Sequence, residues 1–301
     1  WAIGGWMWGG TGAQESIDAV HAAIESGINL IDTAPAYGQG LSEEFVGRAI
    51  AGKRDKVVIA TKCGLVWDTD KGTYFFDADG KKVHKYLGPE SIKREVEASL
   101  KRLDVDCIDL YQTHWQDTTT PIADTMSALM DLKAQGKIRA IGVSNASVEQ
   151  MDEYRKAGQL DTDQEKFSML DRDMENGQLK YCQNNKISVL PYSPMALGLL
   201  TGKIDPDRKY NDGDQRLYNP RFQPDFVRKV NATLEKCTPI AEAHSATIAQ
   251  IVIAWTFSQP GITSVLCGGR KRYQAQENAA AGDIVLSESE LLKIRKAIEE
   301  L

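Results

Sequence analysis

The chain predicts a (β/α)8 barrel carrying extra helices and long loops on the carboxyl face of its strands. Three observations carry that expectation. Short apolar runs alternate with longer segments whose apolar residues recur at helical period along all 301 residues. No linker-like, low-complexity tract interrupts the alternation, so residues 1–301 read as one domain, near the ~250 residues usual for such a barrel. Chemically able side chains, Asp32, Tyr37, Lys62 and His114, come just after successive apolar runs. That is the carboxyl end of the strands, where barrels of this class assemble their sites.

In chain order, the first strand is expected near Trp1–Ile3. Further strands are expected over Gly27–Asp32, Lys56–Thr61, Cys107–Thr113, Ile138–Val143, Leu160–Gln164, Ile187–Pro191 and Thr263–Cys267. Helical spacing fits Glu15–Glu25, Glu43–Ala51, Pro89–Leu103, Ile122–Gln135, Val148–Lys156 and Met174–Asn184 between them. Ser42, followed by Glu43 and Glu44, reads as an N-cap, Pro89 as a first helical residue and Gly136 as a stop. Residues Leu65–Gly88, with the turn pair Asp79-Gly80, suggest a hairpin excursion. Gly198–Pro224 is a long polar loop, a kind that is usually functional. Helices near Asp225–His244 and Thr247–Ser258 precede the last strand, so one is additional to the barrel, and Glu288–Leu301 lies across the outside. The chain opens without Met on what looks like a strand, which suggests an incomplete amino terminus.

A net charge of −6 gives no reason to expect nucleic acid as a partner. No apolar run approaches the roughly 20 residues needed to span a bilayer, and WAIGGWMWGG lacks the basic segment of a signal peptide. The five cysteines, Cys63, Cys107, Cys182, Cys237 and Cys267, are odd in number and form no CxxC, which argues against a disulfide framework or a structural zinc site. A reduced, cytoplasmic protein is the expectation, with no metal.

The four polar residues make chemical sense together. Gathered at one face they would make a proton-transfer site, and one reaction such a site could serve is carbonyl reduction, which needs hydride at carbon and a proton at oxygen. A phenol titrates near 10, and a neighbouring ammonium lowers that value by stabilising the phenolate. Lys62 is therefore expected to modulate Tyr37, the general acid, while Asp32 anchors Lys62 and His114 orients the carbonyl oxygen. Each residue alone has a plainer explanation: a surface salt bridge for Asp32 or Lys62, a packed aromatic for Tyr37, a structural imidazole for His114. Only the set, in barrel order, outweighs those. Trp6, Trp8, Trp67, Tyr74 and Trp115 are placed to wall a pocket for bulky or aromatic aldehydes, or else to pack the loops together. No GxGxxG follows the first strand, so a nicotinamide cofactor would have to bind differently from a Rossmann domain.

The strings GINLIDTAPAYG, VVIATK, SLKRLDVDCIDLYQTHW, GKIRAIGVSN, LPYSPMALGLLTGK and GGRKRYQAQENAAA, in this order, resemble the aldo-keto reductases over nearly the full length. The nearest pattern is the bacterial and potassium-channel β-subunit-like branch. The resemblance implies a barrel that reduces aldehydes or ketones with NADPH, a small-molecule carbonyl substrate, and a monomer. It implies that Ser144, Asn145 and Gln164 hold the nicotinamide carboxamide and that Tyr192 stacks on the ring. Ser193, Met195, Leu199, Thr201 and Lys203 would line the pyrophosphate. Gly268 opens the segment for the 2′-phosphate and adenine, with Arg270 and Gln274 on the phosphate, Glu277 and Asn278 on the adenine, and Arg216 a further candidate. Arg270, Lys271 and Arg272 are three cations in a row, which suits a phosphate monoester and favours NADPH over NADH. Lys166, Phe167 and Ser168 depart from the family pattern after the glutamine. Two alternatives stay open: a sugar or polyol dehydrogenase using the same groups in reverse, and a cofactor-binding regulatory subunit with little turnover.

Overall fold

The structure, a computed structural model, describes every residue except Trp1, Trp6, Gly9 and Thr11, and of Ala2 the backbone alone. Helix α1 (Ala13–Glu25) leads to strand β1 (Leu30–Asp32), then α2 (Leu41–Ile50) and β2 (Val58–Cys63). A hairpin excursion follows: β3 (Leu65–Val66), β4 (Thr73–Ala78) and β5 (Lys81–Lys85). The alternation resumes with α3 (Pro89–Leu103), β6 (Ile108–Thr113), α4 (Ile122–Ala134), β7 (Ile138–Ser144), α5 (Val148–Ala157), β8 (Thr162–Gln164), α6 (Gln178–Asn184) and β9 (Ser188–Val189). Helices α7 (Pro224–Glu235), α8 (Thr238–Ala243), α9 (Ile248–Phe257), α10 (Arg272–Ala280) and α11 (Glu288–Glu299) complete the chain.

The strands β1-β2-β6-β7-β8-β9 form one parallel sheet in that order. Parallel bridges Val189–Ile262 and Tyr192–Leu266 extend it to the segment expected as the last strand. Along each strand the side chains alternate between faces. Ile31, Ile59, Ile141, Val143 and Val189 join the large core, in which the helices contribute Ile17, Val46, Ile92, Met126 and Leu129. The opposite face carries an interior layer: Leu30, Ala60, Leu110, Ala140, Leu190 and Leu266. Two residues further along their strands stand Asp32, Lys62, Gln112 and Gly142, so alternation itself aims them into the same interior as the apolar layer. Gly142 lets its neighbours close in: a Cβ there would sit 2.2 Å from Thr162 Oγ1 and 2.7 Å from Gln112 Cγ.

Several local expectations are corrected. The described part of the first expected strand, Ala2–Gly4, is a 3-10 turn, because it packs on the Tyr37 loop rather than pairing with the sheet. A Cβ on Gly4 would meet the Tyr37 carbonyl oxygen at 2.4 Å, and one on Gly38 would meet Gly4 O at 2.5 Å. Ser42 is not an N-cap. Helix α2 begins two residues earlier than expected, at Leu41 behind Gly40, whose φ of 103° suits glycine and whose α-carbon lies against Arg102; Ser42 instead accepts a hydrogen bond from Thr33 Oγ1 at 2.8 Å. The single helix expected over Asp225–His244 is two, since Pro239 cannot continue α7 and instead sits in the first turn of α8. Pro89 does open α3, and Gly136, with φ of 74°, follows the end of α4. Among the described residues no helix is long and apolar enough to cross a membrane.

Candidate active site

The loop after β1 carries Tyr37 back over the strand ends, where it meets side chains from β1, β2 and the residue after β6. Lys62 Nζ is fully buried and donates to Asp32 Oδ1 at 2.6 Å and to the Thr33 carbonyl at 2.9 Å. It lies 5.1 Å from the centroid of the Tyr37 ring. His114 meets the same ring edge-on, with centroids 5.6 Å apart. The four residues that the sequence singles out thus form one cluster.

Two glutamines complete it: Gln164, expected only at the nicotinamide carboxamide, and Gln112, which sequence reasoning did not single out. Gln164 Nε2 donates to Asp32 Oδ2 at 2.8 Å, and Gln112 Nε2 reaches the same oxygen at 3.4 Å. Asp32 is therefore an acceptor hub that holds Lys62 charged, and Gln164 spends one amide proton on it. Gln112 was findable: it is a polar residue at an inward position of its strand, two residues beyond Leu110.

The electrostatics differ from the sequence expectation. Burial raises the Tyr37 phenol above its usual 10, and Asp32 adds to this, so the lowering by Lys62 does not prevail. Burial opposes the Lys62 ammonium, yet Asp32 and Tyr37 carry it above 10.5. Burial holds the His114 imidazole well below 6.5, with Lys62 acting in the same sense. At neutral pH the site therefore contains a protonated phenol, a protonated amine and a neutral imidazole.

From this cluster a cleft of about 1010 Å3 runs to the start of α10. Ser144, Asn145, Gln164 and Tyr192 line it beside the cluster; Ser193, Met195, Thr201, Lys203 and Arg216 follow, then Gly268, Arg270, Gln274, Glu277 and Asn278. Asn145 is fixed on three sides: its Nδ2 donates to the His114 carbonyl (2.9 Å) and to Ser144 Oγ (3.0 Å), and its Oδ1 accepts from Tyr192 Oη (2.8 Å). For Leu199 the side chain is corrected: it is fully buried in the hydrophobic core, and Leu197 and Gly198 face the cleft instead. The cause is local, a kink in which Leu197 and Gly198 both take positive φ (60° and 93°) and turn the following leucine inward.

The expected row of three cations is also corrected. Arg272 Nη2 pairs with Glu25 on α1 at 2.9 Å, and Lys271 Nζ leans toward Glu15 at 3.8 Å. Arg270 remains over the cleft, donating to the Trp8 carbonyl at 3.1 Å. Lys203 pairs with Glu277 at 2.8 Å, and Arg216 is gripped by Asp214 between the rings of Trp8 and Tyr210, 4.9 and 4.7 Å away. Gln274 Oε1 accepts from the backbone N–H of Arg270 (2.8 Å) and of Lys271 (3.1 Å), capping α10.

Comparison with known proteins decides the family. The Aldo/keto reductase family model matches residues 2–299. The chain belongs to the aldo/keto reductase family. An Escherichia coli (strain K12) protein named NADH-specific methylglyoxal reductase is 44% identical over 307 residues, covering 100% of this chain and 93% of that protein. The aldo-keto reductase YhdN of Bacillus subtilis (strain 168) is 41% identical, covering 92% and 81%. Among solved structures, the glycerol dehydrogenase AKR11B4 from Gluconobacter oxydans matches with a TM-score of 0.89 at 38% identity, covering 100% and 90% of the two chains. An aldo/keto reductase from Klebsiella pneumoniae in complex with NADP and acetate matches at 0.73 and 29%, covering 94% and 85%. The strand order seen here is thus part of an aldo/keto reductase barrel, and the chain is an oxidoreductase acting on carbonyl groups.

The cleft of this aldo/keto reductase fits a nicotinamide nucleotide by its donor set. Amide and hydroxyl groups (Ser144, Asn145, Gln164) and an aromatic face (Tyr192) stand near the phenol, and Lys203, Arg270 and the amino end of α10 stand at the far end, where anions are favoured. On the substrate side the expected tryptophans divide. Trp6 lies outside the described residues. Trp8 lines the cleft, but at its far end, beneath Arg216. Trp115 lines it beside His114. Trp67 does not: it lies in a separate shallow depression with Asp68, Asp70, Lys81 and Lys82. Tyr74 is also turned away, half exposed and edge-on to His84. Phe75 and Phe76, which sequence reasoning passed over, face the cleft instead.

Behind the Asn145 turn sits a buried carboxyl pair. Glu165 Oε1 accepts from the Ala146 N–H at 2.7 Å, and Asp163 Oδ2 accepts from Gln178 Nε2 at 2.9 Å. Burial pushes both above the usual carboxylate range, and their mutual repulsion raises Glu165 further. The folded protein therefore retains protons here that the unfolded chain releases above about pH 4. The resulting stability is full below that pH and is lost as pH rises through the raised values. Urea midpoints are expected to fall between weakly acid and weakly alkaline pH, and Glu165→Gln to flatten part of that slope. An unchanged slope in the variant would assign it elsewhere.

Proposed function

We propose that this aldo/keto reductase reduces aldehydes and ketones to alcohols with NADPH, Tyr37 donating the proton to the carbonyl oxygen. The observation that carries this assignment is the buried Lys62–Asp32 pair, 2.6 Å across, set beneath the Tyr37 ring and beside His114. A reduced nicotinamide, when bound, supplies the hydride. Everything else falls to the chain's own residues. Tyr37 rests protonated, as an acid must. As charge develops on the substrate oxygen, Tyr37 transfers its proton and becomes a phenolate that the Lys62 ammonium stabilises. Asp32, held by Gln164 and Gln112, keeps Lys62 charged and aimed. His114 is neutral and so can donate one N–H to the same oxygen without competing as an acid. Run in reverse, Tyr37 becomes the base, and the structural likeness to a protein titled glycerol dehydrogenase favours polyol oxidation as the second possibility.

NADPH is preferred to NADH in this assignment on the strength of Arg270, since Arg272 is drawn off to Glu25 on α1 and Lys271, at the edge of the cleft, leans toward Glu15. A preference resting on one guanidinium should be modest, in keeping with a relative named NADH-specific. Arg270→Ala is expected to raise KM for NADPH by about tenfold, roughly 1.4 kcal/mol, with a much smaller effect on NADH. Equal effects on both would remove Arg270 from the 2′-phosphate. Residues 1–301 are taken to act as a single-domain, cytoplasmic monomer on a small carbonyl compound. NADPH and NADH consumption by the purified protein with aldehydes, and NADP+ or NAD+ reduction with polyols, tests direction and cofactor together.

A further inference from the structure

The hairpin β4–β5 departs from regular pairing at one point: Tyr74 pairs with His84 but Phe76 with Val83, so an extra residue is inserted between them. Such a bulge breaks the alternation of side chains and re-aims them locally. Its consequence here is that Phe75 and Phe76, adjacent in sequence, both line the cleft, with centroids 5.0 Å apart, while Tyr74 faces outward. Phe75 also packs on Trp115, 5.1 Å away and next to His114. Leu65 of β3 lies in the same wall. The Lys and Arg residues that line the cleft all come from the segments around 203–216 and 270–271, at the other end.

The hairpin is fastened at both ends. At its tip, Gln39 Nε2 donates to Asp79 Oδ2 at 3.2 Å and Lys81 Nζ donates to Gln39 Oε1 at 2.9 Å. Gln39 lies two residues after Tyr37, so the tip holds the loop that presents the acid. At its base, Thr73 and Thr118 hydroxyls lie 3.3 Å apart, tying β4 to the segment after β6.

We propose that this bulged hairpin is the substrate-selecting element of the enzyme: Phe75 and Phe76, with Trp115, seat a flat, uncharged apolar group attached to the carbonyl. The inference rests on the reductase assignment above. Flat groups gain burial and ring contacts in such a seat, whereas a short aliphatic aldehyde leaves it partly empty. Gln39 acts as a positioning residue that keeps the seat in register with Tyr37.

The test compares kcat/KM for 4-nitrobenzaldehyde and for propanal, with NADPH, in wild type, Phe75→Ala/Phe76→Ala, Phe75→Leu and Gln39→Ala. The ratio of aromatic to aliphatic kcat/KM is expected to fall about tenfold in the double variant, chiefly through KM for the aromatic aldehyde. Phe75→Leu, which keeps the apolar volume should the double variant fail to fold, and Gln39→Ala are expected to lower the ratio by about threefold. Wild-type turnover with a ratio that stays within about twofold in folded, NADPH-binding variants overturns the selecting role alone. Failure of the wild type to consume either NADPH or NADH with either aldehyde overturns the reductase assignment, and the inference with it.

Discussion

Tyr37→Phe is expected to lower kcat for aldehyde reduction by about a hundred- to ten-thousand-fold while leaving nicotinamide nucleotide binding close to wild type. The substitution deletes one hydroxyl and keeps the ring that faces Lys62 and His114. None of the neighbouring groups can replace the lost acid. Lys62 is committed to Asp32 and to the Thr33 carbonyl, and its pKa is raised. The His114 pKa is depressed too far for it to carry a proton at neutral pH. Steady-state rates at saturating aldehyde, beside a fluorescence titration of nucleotide binding, measure both halves. A variant that keeps more than a tenth of wild-type kcat would place the acid elsewhere.

Lys62→Met should cost both activity and stability. It leaves Asp32 as a mostly buried carboxylate facing an alkyl chain, and breaking one side of a buried ion pair typically costs about 3–5 kcal/mol. The lower end of that range is expected, because Gln164 and Gln112 still donate to Asp32. kcat should fall as well, since the phenolate formed on Tyr37 would lose its nearest cation. Urea midpoints and kcat on the same preparation check the prediction. Asp32→Asn, which leaves Lys62 without its carboxylate, should follow it in both readouts. A Lys62→Met protein as stable as wild type would mean that the pair contributes little to the fold.

The parallel sheet and the four-residue cluster were legible because both rest on short-range regularities. Apolar runs of strand length, each followed by a polar residue, place Asp32, Lys62 and His114 at strand ends without any knowledge of packing. The departures arose where long-range contacts override local pattern. Ser42 has good capping chemistry, but Gly40 beside Arg102 starts the helix first. The family resemblance places Leu199 on the cleft, yet a positive-φ kink at Leu197 and Gly198 turns its side chain into the core. Lys271 and Arg272 belong to a basic run that suits a phosphate, but Glu25 on α1, some 250 residues earlier, draws Arg272 away, and Glu15 stands 3.8 Å from Lys271. A single inserted residue in β4 exchanges Tyr74 for Phe75 at the cleft, and no periodicity in the sequence announces it. The Tyr37 phenol is a matter of degree: Lys62 was visible as its partner, but the burial that outweighs that partner is a property of the folded site.

The pH dependence of kcat/KM for aldehyde reduction, in wild type and in His114→Gln, tests most directly which group is the acid. Tyr37 as donor must be protonated, and its pKa in the free enzyme lies above the usual 10. The profile is therefore expected to stay level through neutrality and to fall only as pH rises into the alkaline range. His114→Gln should lower the plateau without moving that fall. A loss of activity across neutral pH that disappears in His114→Gln would make the imidazole the proton donor and contradict the assignment of Tyr37.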